Sequence, residues 1–182
     1  MVGELDWICR RDSELVWWGL CRLAAQLRPL GFIIMAGPCI DIYTRQPISS
    51  SDELLVRNLI RSISNSVNDD DFWIANQPFL VTFGEPEPEV RELIIDGWSP
   101  RGAVSYCAMC NAICDHVLLA MLCHRTAQLL DGLIHLGNIS TITADPSVLT
   151  FDGARPTDGY GYIVRPAFLG YWLSHPEFRL LK

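Results

Sequence analysis

Apolar residues follow two patterns along this chain, short runs that alternate with polar positions and longer segments with a helical period. The alternation over residues 39–43 predicts a first strand. Ser50 and Glu53 then form a capping-box pattern, in which the Ser50 hydroxyl would accept a hydrogen bond from the Glu53 amide. The helix that follows would bury an apolar face made of Leu55, Val56, Leu59, Ile60 and Ile63.

The rest of the chain continues this alternation of strands and helices. The expected elements are strands at 72–75 and 79–83, a short helix at 89–95, a strand at 103–109, a long buried helix at 112–131, strands at 133–136, 148–151 and 160–164, a helix at 166–172 and a last strand at 178–181. The order β-α-β-β-α-β occurs twice and shares the strand at 103–109. This order predicts an α+β fold with a mixed, mostly antiparallel sheet, helices packed on one side, and two overlapping split-βαβ, ferredoxin-like units.

The first 34 residues differ in character from the remainder. They hold four acidic and four basic residues, and their helical pattern at 14–27 ends at Pro29. The division predicts an N-terminal helical extension at 1–34 and a single α+β domain at 35–182. The extension could be a helix packed on the domain or an upstream addition to it.

Composition narrows the class of protein. The net charge is −7 with a pI near 5.0, and a general nucleic-acid binder usually has the opposite balance. The uncharged stretch at 29–40 is too short to span a bilayer. Glu4 and Asp6 do not fit the basic start of a signal peptide. We expect a cytoplasmic protein that binds neither nucleic acid nor membrane.

From the cysteine pattern we expect that the protein holds no metal and no cofactor. An odd number in a chain with an ample core argues against a disulfide framework, so reduced and mostly buried thiols are expected. Cys107-x2-Cys110-x3-Cys114-x-His116, followed by Cys123-His124, resembles zinc spacing. However, Cys114 and His116 would lie on different faces of a helix, and a second Cys-x2-Cys is missing. The seven cysteines are Cys9, Cys21, Cys39, Cys107, Cys110, Cys114 and Cys123.

Three residues could perform acid–base chemistry. Asp115 and His116 begin the long helix, where Asn111 is the expected N-cap, and His175 ends the next one. Helix neighbours do not face each other, and no nucleophile is evident beside them. We expect capping and structural hydrogen bonds here. A small enzyme that uses Asp115 and His116, or His175, in a cleft is the alternative.

Several short motifs carry a family resemblance. Met35-Ala36-Gly37-Pro38 begins the region, and WL-x-HP-x-FR-x-x-K ends it at Lys182. With intervening elements such as Asp115-His116, they resemble a family of short bacterial proteins of unknown function over about residues 35–182. Small acidic domains of this kind are similar to immunity proteins of bacterial toxin systems, which implies a protein partner.

The acidic residues in the middle of the chain point to the nature of that partner. Between residues 66 and 96, eight acidic residues stand against Arg91 alone. A clustered negative field speeds encounter with a basic protein, although it can also serve solubility alone. We therefore expect a binding protein that neutralises a basic partner, with an exposed aromatic residue such as Trp73 or Trp98 as its anchor. The expected binding residues are Asp69, Asp70, Asp71, Trp73, Glu85, Glu87 and Glu89.

Overall fold

The computed structural model describes residues 37–136, 151–152, 162–176, 178 and 180. The described helices are α1 (Ser50–Ile63), α2 (Pro88–Arg91), α3 (Ile113–Leu129) and α4 (Pro166–Leu173). The described strands are β1 (Cys39–Thr44), β2 (Ser66–Asn68), β3 (Asp71–Ile74), β4 (Gln77–Gly84), β5 (Ile94–Ile95), β6 (Gly102–Ala108), β7 (Leu133–Leu136), β8 (Phe151–Asp152) and β9 (Tyr162–Val164).

Seven of these strands form one sheet in the order β2-β3-β4-β6-β1-β7-β9. Each neighbouring pair is antiparallel, so the expected α+β class with a mostly antiparallel sheet is confirmed. β5 and β8 form a separate two-stranded sheet. The predicted helix at 1–34 lies outside the described residues, as do most of the predicted strand at 148–151 and the start of that at 160–164.

Two split-βαβ units interlock in the centre of the sheet. β1, α1 and β4 form the first unit, with β6 between its parallel strands, and β6, α3 and β7 form the second, with β1 between. The central order β7-β1-β6-β4 is that of a ferredoxin-like core. The sequence prediction was wrong about which segments build it. The segment at 89–95, expected to be a crossover helix, is instead α2 followed by β5.

The two long helices begin at different caps from those predicted. Ser49, not Ser50, is the N-cap of α1, and its hydroxyl and amide exchange hydrogen bonds with Asp52. Ala112, not Asn111, occupies the N-cap position of α3, because the Asp115 carboxylate accepts the Ala112 N–H at 2.7 Å. At the start of α1 two serines are adjacent and either could cap the helix, whereas the start of α3 is set by the Asp115 carboxylate and not by a cap side chain.

The sheet has two faces with different coverings. α1, α3 and α4 pack on one face and form the main core, which includes Ile42, Tyr106 and Leu119. On the other face, α2 and β5 cover only the end near Tyr43 and Ala103, through Val90, Leu93 and Ile95. The expectation that the helices lie on one side therefore holds for the three long helices and not for α2.

The two described residues of the predicted last strand, Phe178 and Leu180, are packed without a strand assignment. Both are buried. The Leu180 N–H donates to His116 Nδ1 on α3 at 2.9 Å. Trp172 stacks on His175, with ring centroids 4.7 Å apart. Side chains of α3 and α4 therefore contact the described residues that follow α4.

Candidate functional site

Strand pairing brings the two predicted acidic runs to the same end of the sheet. β3 begins at Asp71, which lies opposite Leu80, and the Val81 N–H donates to the Asp70 carbonyl. Glu85 follows the end of β4, four residues beyond Val81, or about 14 Å along an antiparallel strand. The turn between β3 and β4, at Ala75 and Asn76, lies at the opposite end.

Arg57 engages two members of the first acidic run. Its guanidinium donates to the Asp70 carboxylate at 2.9 Å and to the Asp69 carbonyl at 3.1 Å. It also pairs with Glu53 at 2.8 Å and lies over the Phe83 ring. These contacts tie α1 to the β2–β3 turn on the helix side of the sheet. Asp69 and Asp70 therefore do not lie on one surface with the rest of the predicted site.

Asp71 and Trp73 lie on the opposite face of the sheet. Side chains alternate along a strand, and Phe72 and Ile74 between and beyond them belong to the main core. Asp71 is exposed and Trp73 is half-buried. These two predicted binding residues therefore lie on the sheet face that α1, α3 and α4 do not cover.

The second acidic run borders that same face. Glu85 pairs with Arg91 at 2.7 Å, and Glu87 directly precedes α2. Glu87 and Glu89 are exposed and have no ion pair within the described ranges. The Glu87 carboxylate is close enough to Tyr43 to raise the pKa of its phenol. The other proposed anchor, Trp98, is half-buried and contacts Arg45.

A polar cluster at the centre of this face was missed by the sequence analysis. Asp41 on β1 accepts a hydrogen bond from Ser105 on β6 at 2.5 Å. His135 on β7 lies opposite Asp41, with Nδ1 3.6 Å from Oδ2. The Tyr43 hydroxyl lies 3.5 Å from Asp41 Oδ2 and 3.4 Å from His135 Nδ1. Three strands distant in sequence supply these groups, so no local motif could reveal the cluster.

The cluster favours an ionised Asp41. Burial opposes the charge, but the hydrogen-bonding contacts with His135, Ser105 and Tyr43 outweigh it and hold the pKa of Asp41 below its ordinary value. Burial raises the pKa of Tyr43, and the nearby charge of Asp41 raises it further. Asp41 is therefore a carboxylate and Tyr43 a neutral phenol at neutral pH.

Replacement of Asp41 by Asn should make stability less dependent on pH. A carboxylate with a depressed folded pKa stabilises the fold above its unfolded pKa, and that contribution disappears as the pH falls through the folded value. We expect Asp41→Asn to lower the free energy of unfolding by about 1 kcal/mol at pH 7 and by progressively less as the pH falls below the ordinary pKa of an aspartate. Urea unfolding across pH measures this difference. The exposed Asp71→Asn is the control, and a loss for Asp41→Asn that did not vary with pH would contradict the expectation.

Comparison with known proteins identifies the family. A family model described as "Family of unknown function (DUF6368)" matches residues 36–182. The chain belongs to this family. The predicted membership of a family of unknown function is thereby confirmed. A search of curated proteins and a search of solved structures found no match to the chain.

The alternative acid–base residues of this DUF6368 domain are engaged in structural contacts. Asp115 is buried and caps α3, and its burial raises the pKa of the carboxyl. His116 contacts Asn111 Oδ1 through Nε2 at 3.0 Å and accepts the Leu180 N–H at Nδ1. His175 lies at the C-terminal end of α4 against Trp172.

The cysteines of the DUF6368 domain correct one expectation. Cys39 and Cys107 face each other across β1 and β6, with Cα atoms 4.1 Å apart, and form a disulfide. The prediction of reduced thiols throughout is wrong for this pair, because the long-range strand register brings the two together. Cys114 and Cys123 are buried as expected, and burial raises the pKa of both thiols and of Cys110. Elevated pKa values make them weak nucleophiles at neutral pH.

Over the described ranges, no three His, Cys, Asp or Glu side chains group in a way that could hold a metal ion. None of the described helices combines the length and the apolar character needed to cross a bilayer.

Proposed function

We propose that this DUF6368 protein binds and neutralises a basic protein partner, as an immunity protein does with its toxin. One observation carries the proposal. The sheet face that the long helices leave uncovered is bordered by Asp71 and Trp73 on one side and by Glu85, Glu87 and Glu89 on another. Carboxylates at this border would steer a positively charged partner toward the sheet.

Occlusion is the proposed mechanism. A partner held against the sheet face would have its own basic surface covered, which would block a positively charged substrate-binding site. Trp73 would supply the apolar contact within the polar border, as half-buried aromatic residues do in protein interfaces. Cytoplasmic residence belongs to this proposal.

Association kinetics with a purified basic toxin domain, such as a nuclease domain with a positively charged substrate-binding surface, test the proposal. The test variant combines Asp71→Asn, Glu87→Gln and Glu89→Gln, which leaves the Arg57 contacts of Asp69 and Asp70 intact. We expect association at low salt to slow about tenfold and its salt dependence to flatten, because three border charges are removed.

A matched control adds the same three units of positive charge on the helix side. It combines Asn58→Lys, Ser62→Lys and Gln128→Lys at exposed positions of α1 and α3. The control should associate at close to the wild-type rate. Equal slowing of both variants would reduce the effect to net charge and would contradict the proposed surface.

A further inference from the structure

On the uncovered half of the sheet face, the described strands β1, β4 and β6 contribute a carboxylate and neither Lys nor Arg. Along β1, β4 and β6, the outward positions include Cys39, Asp41, Thr82 and Ser105, and both Cys39 and Thr82 are exposed. Among the described residues of these strands, none is Lys or Arg. The neighbouring border adds negative charge at Glu87, whose field reaches Tyr43. This surface is complementary to a positively charged group.

Asp41 lies in the floor of this surface with unused acceptor capacity. Its Oδ1 receives the short bond from Ser105, whereas the side-chain donors of the described residues that contact Oδ2, on Tyr43 and His135, lie 3.5 and 3.6 Å away. Contacts of that length are weak, and a carboxylate can accept about four hydrogen bonds. The Asp41 side chain retains 35% of its exposure, so a ligand can reach it from solvent.

We infer that Asp41 is the acceptor for an arginine side chain of the basic partner. A guanidinium presents paired N–H donors in a plane, which suits a carboxylate held in fixed orientation. Ser105 and His135 position the carboxylate from the strands on each side. The inference rests on the proposed function. It adds the residue that recognises the partner: the border charges steer the partner to the sheet, and Asp41 then binds its arginine.

Titration with a small probe tests this site without the partner. Nα-acetyl-argininamide is added to the full chain, and the amide signals of Asp41, Ser105 and His135 are followed by NMR. We expect saturable shifts in wild type, at least tenfold weaker binding in Asp41→Asn, and unchanged binding in Glu92→Gln, which removes an exposed carboxylate elsewhere. Nα-acetyl-lysinamide should bind more weakly, since an ammonium lacks the planar fork.

A second variant tests the same site if Asp41→Asn fails to fold. Thr82 is exposed, and it lies opposite Ser105, which itself lies opposite Asp41. Thr82→Lys places a competing ammonium beside the carboxylate and should weaken probe binding by a similar factor. Shifts of equal size and affinity in wild type, Asp41→Asn and Thr82→Lys would overturn the inference.

The basic partner then separates this inference from the proposed function. If Asp41 holds an arginine, Asp41→Asn should speed dissociation at least tenfold and leave the association rate almost unchanged. Slower association of the border variant combined with wild-type dissociation of Asp41→Asn would overturn the role of Asp41 alone. Wild-type kinetics in both variants would overturn the proposed function as well.

Discussion

Replacement of Gly102 by Ala should destabilise the protein by about 3 kcal/mol or more, the upper part of the range for overpacking a well-packed site. A Cβ at this position would lie 2.5 Å from Thr44 Oγ1, 2.6 Å from the Gln46 carbonyl oxygen and 2.8 Å from the Ile48 amide nitrogen. Two of these atoms belong to the backbone, so a side-chain rotation cannot relieve the overlap. Gly102 also begins β6 opposite Thr44, which ties the clash to the centre of the sheet.

Gly84 provides a matched control for this substitution. It is also a strand glycine, it pairs with Ala103 next to Gly102, and a Cβ there would meet no atom within 4 Å. We expect Gly84→Ala to change the free energy of unfolding by less than about 1 kcal/mol, since only backbone entropy is affected. Urea unfolding of both variants measures the difference. Similar losses in the two would show that close backbone approach at Gly102 is not what requires glycine.

Replacement of His116 by Ala should cost about 2–3 kcal/mol and loosen the C-terminal tail. The ring is buried, and His116 Nδ1 accepts the buried Leu180 N–H, which would lose its partner. Because Nδ1 is an acceptor, the ring proton is assigned to Nε2, which donates to Asn111 Oδ1. Deletion of the ring therefore removes the hydrogen bonds to Asn111 and Leu180 and leaves a cavity beside α3.

Two isosteric variants separate these contributions. The Asn side-chain oxygen in His116→Asn can take the place of Nδ1 and keep the Leu180 contact, whereas the Gln side chain reaches only the position of Nε2. Hydrogen exchange at the Leu180 amide should accelerate in His116→Ala and His116→Gln and stay slow in His116→Asn. Equal protection in all three variants would show that the tail does not depend on this histidine.

Local patterns identified most of the secondary structure. The alternation near Cys39, the helical face of α1 and the apolar run of α3 depend only on nearby residues, and all three elements were predicted. The start of α1 was predicted one residue too late, because Ser49 and Ser50 can both cap the helix. The short helix at 89–95 was misjudged for a related reason. Its apolar residues Leu93 and Ile95 face the small layer on the other side of the sheet, which period alone does not indicate.

The acidic runs show which features of the candidate site can be predicted from the sequence. Their presence and their flanking of a hairpin are visible in the sequence, and the register confirms that they share one end of the sheet. The sequence could not show that Arg57 engages Asp69 and Asp70 on the helix side while Asp71 and Trp73 lie on the other face. A change of one residue in register would exchange these faces.

The amino-acid sequence by itself determined the class of fold, the membership of a family and the excess of carboxylates, because periodicity, motifs and charge are local or additive properties. Only the tertiary structure decided which residues meet. The pairing of β1 with β6 and β7 joins Cys39 to Cys107 and surrounds Asp41 with Ser105 and His135. These residues are separated by 64 or more positions, and their contact depends on the register of strands that the whole core fixes.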